Sequence, residues 1–251
     1  MQPTYLPWTG YFALVDQVDY FVLLDDVQFS RQSWQQRNRV NTYDGPKWLT
    51  VPVLKKGRGR QLINEVEINN NDYWERKHLT LIKNNYSKAP WLPLYDSWLE
   101  MIYQQPWTSL YELNATLIKE IAAKLGLEKP FVQASSLGAA GKKTSRLIDI
   151  CKLLEATEYL SPIGSFEYID VEENPFPEFG IELLYQQYEH PTYQQMGDQF
   201  YSHLSTIDLL LNEGTNSLEI IRSGERSPYT HEEVRALKAS EQTEEEESNH
   251  V

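Results

Sequence analysis

Apolar and polar positions alternate along this chain in short blocks, and the blocks change period several times. Tyr20-Phe-Val-Leu-Leu24 is a continuous apolar run ending in Asp25-Asp26, the pattern of a buried strand. Just before it, Tyr11, Leu14, Val15 and Val18 recur at i, i+3, i+4 and i+7, which predicts a helix from about Gly10 with Thr9 as its cap. Leu49 to Leu54 and the alternating Leu62 to Ile68 read as strands. Residues 71–126 are helical in pattern and break into three pieces at Ala89-Pro90 and Gln105-Pro106, with Gly126 as the stop. Phe131 to Ala134 returns to strand character. A helix from Ser145 puts Leu147, Ile150, Cys151 and Leu154 on one face. Short strands follow at Glu158 to Leu160 and Ile181 to Gln187, then helices at Leu204 to Leu211 and Leu218 to Ile221.

Strands that alternate with helices predict an α/β fold with a mostly parallel, Rossmann-like sheet flanked by helices. The run 71–126 is then a helical insertion or subdomain. A single α/β domain is expected over residues 1–228, followed by a disordered acidic tail over 229–251, where apolar residues are sparse and Glu244 to Glu247 carry like charge. Only Met1-Gln2 precede Pro3. The expected first strand is therefore either very short or begins upstream of Met1.

Charge changes this picture when it is divided. The chain carries 23 Lys+Arg against 36 Asp+Glu, a net −13. Residues 31–60 run the other way, with eight bases (Arg31, Arg37, Arg39, Lys47, Lys55, Lys56, Arg58, Arg60) and the single acid Asp44, a local +7. A concentrated basic segment in an acidic protein points to a local anion site and away from a nucleic-acid surface. Lys55, Lys56, Arg58 and Arg60 read as a solvated loop. Arg31, Arg37 and Arg39 sit among Gln32, Ser33, Trp34, Gln35, Gln36 and Asn38 and read as functional. No apolar run reaches the roughly 18 residues of a membrane span, and no signal-peptide pattern opens the chain. A lone cysteine, Cys151, excludes an internal disulfide and suits a cytoplasmic location.

Five stretches carry candidate chemistry. The loop Gln2 to Tyr11 follows the first expected strand and precedes a helix, a position where backbone N–H groups meet anions. Gly10 permits close approach, and Tyr5, Trp8 and Tyr11 offer rings for stacking. The alternative is a structural turn with aromatic packing. Asp25-Asp26-Val27-Gln28 follows a buried strand. The adjacent carboxylates can divide into acid and base, hold a divalent cation, or orient the nearby arginines, although neighbours on an extended chain face opposite ways. In Arg37-Asn38-Arg39 the two guanidinium groups share a strand face and suit a phosphate or carboxylate. Gly138 to Ser145 fails the nucleotide P-loop spacing, because Lys143 separates Lys142 from Thr144. His190, after the strand at 181–187, is a candidate general base. No zinc-ligand spacing exists, so no metal is expected, and no cofactor is indicated. Convergence of these segments predicts one cleft lined by Tyr5, Trp8, Tyr11, Asp25, Gln28, Arg37 and Asn38.

The order of these motifs resembles the WbqC-like family: Gln2-Pro-Thr-Tyr-Leu-Pro-Trp-Thr-Gly-Tyr-Phe12, Asp25-Asp-Val-Gln-Phe29, Ser33-Trp34, Arg37-Asn-Arg39 and Trp48-Leu-Thr-Val-Pro-Val53. Thr144-Ser-Arg-Leu-Ile148, Tyr159-Leu-Ser161, Gly164-Ser165, Tyr168, His190-Pro-Thr-Tyr-Gln194 and Ser205-Thr-Ile-Asp-Leu209 continue the likeness. It covers roughly residues 1–220. The resemblance implies a role in bacterial surface-polysaccharide (O-antigen) biosynthesis, with transfer of a glycyl, aminoacyl or acyl group to a sugar. The substrate is then a small anionic molecule, a nucleotide-sugar or acyl donor. The expected roles are Asp25, Asp26 and His190 in catalysis, and Gln2, Tyr5, Trp8, Gly10, Tyr11, Gln28, Arg37, Asn38 and Arg39 in binding. A non-catalytic protein that binds a nucleotide-sugar or glycan is the rival. A nucleotidyltransferase-like enzyme is the third reading, and the absence of His at positions 8 and 11 argues against it.

Overall fold

A computed structural model describes residues 1–248, with side-chain environments to 241. In chain order the elements are α1 (Thr9–Asp16), β1 (Phe21–Leu23), β2 (Arg37–Val40), β3 (Lys47–Thr50), α2 (Trp74–Asn85), α3 (Leu92–Gln104), α4 (Leu110–Leu125) and β4 (Phe131–Gln133). They continue with α5 (Lys143–Leu153), β5 (Glu158–Pro162), α6 (Phe166–Asp170), β6 (Glu182–Tyr188), α7 (Thr206–Glu213), α8 (Ser217–Ser223), β7 (Glu225–Thr230) and α9 (His231–Ser248).

The chain divides into two compact units in place of the single domain expected over 1–228. One comprises Met1–Ser135 with His190–Gly224, the other Ser136–Glu189 with Glu225–Val251. The fold is mixed α/β, but among the described residues the strands form three small sheets instead of one continuous Rossmann-like sheet. In the first unit β1 pairs with β4 in parallel, Leu23 opposite Gln133. Met1 lies beside β1, its amino group donating to the Val22 carbonyl at 2.8 Å and its carbonyl accepting from Leu24 N at 2.8 Å. Strands β2 and β3 form a separate antiparallel hairpin. The chain between β1 and β4 thus holds a hairpin and three helices where a single crossover helix would build a continuous parallel sheet.

The helical stretch breaks where its sequence predicts. Ser109 Oγ accepts from Glu112 N at 3.3 Å to start α4, and Gly126, at φ +80°, ends it in the left-handed region. The strand expected at Leu62 to Ile68 is instead a 3₁₀ turn over Ile63–Glu65 flanked by single bridges, Gln28 to Leu62 and Val53 to Ile68. The Glu65 carboxylate accepts from Leu62 N at 2.8 Å and folds the segment back on itself.

In the second unit β6 pairs with β5 in parallel and with β7 in antiparallel register. The disorder expected from residue 229 is not found over 229–241. Tyr229 and Thr230 complete β7, and α9 buries Val234 and His231. His231 Nδ1 lies 2.9 Å from Tyr185 Oη and its Nε2 3.1 Å from Asp170 Oδ1, which also pairs with Arg235. A few well-placed anchors offset the low apolar content here, so mean composition misjudged this segment. Residues 249–251 of the expected tail lie outside the described residues.

Candidate active site

The opening loop is held from below. Leu6 adopts φ +47°, and its carbonyl accepts from Asn38 Nδ2 at 2.6 Å. Tyr5 N donates to the Trp34 carbonyl at 2.9 Å. Gln35 Nε2 donates to Gln2 Oε1 at 2.7 Å, and Asn114 Nδ2 donates to the Gln35 carbonyl at 2.7 Å. Tyr5 has no exposed surface, and its hydroxyl lies 2.6 Å from Tyr103 Oη and 2.9 Å from His78 Nδ1. Tyr11 packs on Phe12 and Phe21. Burial pushes both phenols well above their usual range. Tyr5, Tyr11 and Asn38 therefore brace the loop from the core and do not line a cleft as expected. Their aromatic and amide character left both roles open in the sequence.

Trp8 is different. A Cβ on Gly10 would sit 2.3 Å from the Trp8 ring, so the glycine is what lets the indole fold over the first turn of α1. Trp8 bridges Ser205 in antiparallel fashion, Thr206 N donates to the Pro7 carbonyl at 2.8 Å, and Ser205 N donates to the Arg39 carbonyl at 2.9 Å. These bonds draw the segment before α7 over the loop and β2. The His203 ring stacks on Trp8 with centroids 4.9 Å apart, and His190 lies 4.9 Å from His203 and 6.1 Å from Trp8. The Pro191 carbonyl, 2.8 Å from His190 Nδ1, can only accept, so Nδ1 carries the ring proton. Nε2 is then the basic nitrogen, and it is buried without a hydrogen-bond partner. Burial lowers the pKa of His190, with the neighbouring His203 adding to it. His203 is lowered by burial and by the Arg39 charge. Both shifts favour the neutral ring.

Arg37 and Arg39 share one face of β2, as the alternation predicts, while Asn38 points to the core. Both stack on Trp48 of β3, with guanidinium carbons 4.3 and 5.7 Å from the ring centroid. Trp34 packs against Trp48 at 5.3 Å, and each indole is nearly half exposed. Neither arginine pairs with a carboxylate among the described residues, and the Nε atoms of both are buried without a hydrogen-bond partner. Ion-pair demand is thus unmet beside two accessible indoles. The sequence flagged the arginines, but Trp48 entered only through strand pairing, which places it opposite Arg39.

Asp25 has no such freedom. Its buried carboxylate accepts from Asn64 Nδ2 at 2.9 Å, Gln133 Nε2 at 2.8 Å and Ser135 N at 2.9 Å. Burial alone would raise its pKa, but the bonds from Gln133, Ser135 and Asn64 together outweigh that and hold it below the usual carboxylate value. It ties the end of β1 to the end of β4, and a carboxylate so satisfied is a poor proton acceptor. The expectation of Asp25 as base does not fit these surroundings. Asp26 is half-buried beside it, and Gln28 is exposed in the wall of a separate cavity.

A carboxylate linked to His190 through Tyr193 is one the sequence concealed. Asp208, buried in α7, accepts from Tyr86 Oη at 2.5 Å and Tyr193 Oη at 2.8 Å, and the Tyr193 ring stacks on His190. Burial pushes Asp208 up to about 6. It lies inside the apolar helical run Leu204 to Leu211, where it reads as core. The visible signal was that an acid should not occupy such a run without partners.

Among the described residues, no group of three or more His, Cys, Asp or Glu side chains could hold a metal ion, and no helix is long and apolar enough to cross a membrane.

No solved structure matches the chain. A Mycobacterium tuberculosis (strain ATCC 25618 / H37Rv) protein, Uncharacterized protein Rv1507c, is 35% identical over 224 residues, which span 88% of this chain and 96% of that one. The model of the WbqC-like protein family matches residues 2–220 and so takes in the Trp8 loop, the arginine strand and the His190 segment alike. The chain belongs to the WbqC-like protein family.

Proposed function

We propose that the protein is a cytoplasmic transferase of bacterial surface-polysaccharide (O-antigen) biosynthesis that moves a glycyl, other aminoacyl or acyl group onto an amino sugar or nucleotide-sugar. Family membership supports the process. The observation that carries the chemistry is the pair of unpartnered guanidinium groups, Arg37 and Arg39, beside Trp48, on the strand whose Arg39 acts electrostatically on His203. In this reading the arginines neutralise a phosphate-bearing substrate, and Trp48 and Trp34 stack on its base or sugar. His190 Nε2 takes the proton from the sugar amine or hydroxyl as that group attacks the donor carbonyl. The bond to the donor's leaving group then breaks with its electron pair, and His190 returns the proton to it. His203 and Tyr193 keep the His190 ring in place. Loop 2–10 and the Asp25 turn mark the carboxyl edge of a reduced Rossmann-like arrangement built on β1 and β4.

Mass spectrometry of small molecules released from the purified protein tests this. A nucleotide-sugar or an acyl donor is expected from the native protein and none from the Arg37→Ala/Arg39→Ala variant. Equal release from both overturns the assignment. His190→Gln is expected to retain the ligand and lose turnover. If it keeps full turnover, the non-catalytic binding reading replaces the enzymatic one.

A further inference from the structure

A second concentration of positive charge shares no residue with the arginine strand. Phe29 N donates to the Gln61 carbonyl at 2.9 Å, Ile63 N donates to the Val27 carbonyl at 3.0 Å, and Gln28 bridges Leu62. This pairing brings the loop read from sequence as solvated against the segment after the Asp25 turn. A cavity of about 440 Å³ opens between them, walled by Gln28, Phe29, Ser30 and Arg31 on one side and Gly59, Arg60 and Gln61 on the other. Its lining includes two arginines and no acidic residue. Arg31 and Arg60 make no ion pair among the described residues, whereas their neighbour Arg58 is taken up by Glu67. Gly59, at φ +56° with open space where a Cβ would be, leaves backbone accessible on the same wall.

We propose that this cavity is a binding site for a phosphate group. Arg31 and Arg60, both lining one cavity, supply two positive charges and two planar donor forks, a match for a phosphate ester, which carries roughly −1.5 to −2 charge at pH 7. A carboxylate carries half that and leaves one guanidinium unanswered. Gln28 and Ser30, also in the lining, are neutral hydrogen-bonding residues. The site does not depend on the transferase reading, because it shares no residue with the Arg37, Arg39 and His190 cluster.

Calorimetric titration of inorganic phosphate into the full chain tests it, performed in an Arg37→Ala/Arg39→Ala background so that the other arginine face cannot answer instead. Saturable binding is expected. Adding Arg31→Ala/Arg60→Ala is expected to weaken it at least tenfold, and adding Lys55→Ala/Lys56→Ala, an equal loss of charge on the same loop, less than twofold. Arg31→Lys/Arg60→Lys, which keeps charge but not the fork, is expected to fall between. Acetate is expected to bind at least tenfold more weakly than phosphate. A parallel titration with glucose 1-phosphate separates the source: tighter binding than phosphate assigns a phosphorylated sugar, and equal binding assigns free phosphate. Undiminished binding in Arg31→Ala/Arg60→Ala, an equal loss in Lys55→Ala/Lys56→Ala, or acetate binding as well as phosphate overturns the proposal.

Discussion

Asp25 and the Arg37–Arg39 pair belong to the same compact unit and stand out equally in the sequence, as charged residues at or beside a strand. Their surroundings are opposite. The Asp25 carboxylate is closed off from solvent and meets donors from three other residues. The arginines meet the Trp48 indole, with no carboxylate to pair with among the described residues. A buried charge with every lone pair answered contributes to stability and has nothing left to offer a substrate. A charge left unanswered at an accessible edge costs little there and is free for a ligand. Sequence alone does not separate the two, because both situations use the same residue types.

The largest expected effect is on the closed side. Asp25→Ala removes the shared acceptor of Asn64, Gln133 and Ser135 N and is expected to lower unfolding free energy by about 2–4 kcal/mol. Urea denaturation at pH 7 measures it, and a loss under about 1 kcal/mol would show that the network is dispensable. Acid should act in the same sense. Asp25 has a depressed folded pKa, so its contribution is present above the unfolded carboxylate value and is lost as pH falls through the folded one.

Asp208 gives the opposite slope. Its folded pKa, about 6, lies above the unfolded value, so the native state holds the proton longer. Between about pH 4 and pH 6 this residue is expected to erode stability as pH rises, by up to about 3 kcal/mol, and to add no slope above that range. Stability against pH for the native protein and Asp208→Asn is the comparison. Parallel curves would mean that Asp208 titrates normally.

Gly10→Ala probes the scaffold of the open side. The new methyl must displace the Trp8 indole, with an expected loss of about 1–3 kcal/mol and an altered tryptophan emission. Unchanged stability and emission would show that Trp8 is not held there by the glycine. The smallest stability effects belong to the site itself. Arg37→Ala, Arg39→Ala and His190→Gln are each expected within about 1 kcal/mol of native. A thermal melt that drops by many degrees would move them to the structural group.

The local sequence was informative where local physics decides the outcome. The apolar spacing found the helix at Thr9–Asp16, although Trp8 and not Thr9 holds the cap position and no side chain caps it, the prolines at 90 and 106 and Gly126 divided the helical stretch, and alternation placed Arg37 and Arg39 opposite Asn38. What remained hidden depends on long-range pairing. His203 reaches Trp8 only because Ser205 pairs across to Trp8 and Arg39, more than 160 residues away in the chain. Arg60 shares a cavity with Arg31 because residues 61–63 pair with 27–29. Sheet continuity was hidden for the same reason, since helix–strand alternation does not say which strands become neighbours.

The most direct test sets the two regions against each other in one titration. A panel of nucleotide-sugars is titrated by calorimetry into the native protein, Arg37→Ala/Arg39→Ala and Asp25→Asn, each below its own melting transition. Ligand binding by Arg37 and Arg39 predicts that the arginine variant loses at least tenfold in affinity for whichever member binds, and that Asp25→Asn binds within about twofold of native. Native affinity in the arginine variant, with binding lost in folded Asp25→Asn, would contradict it.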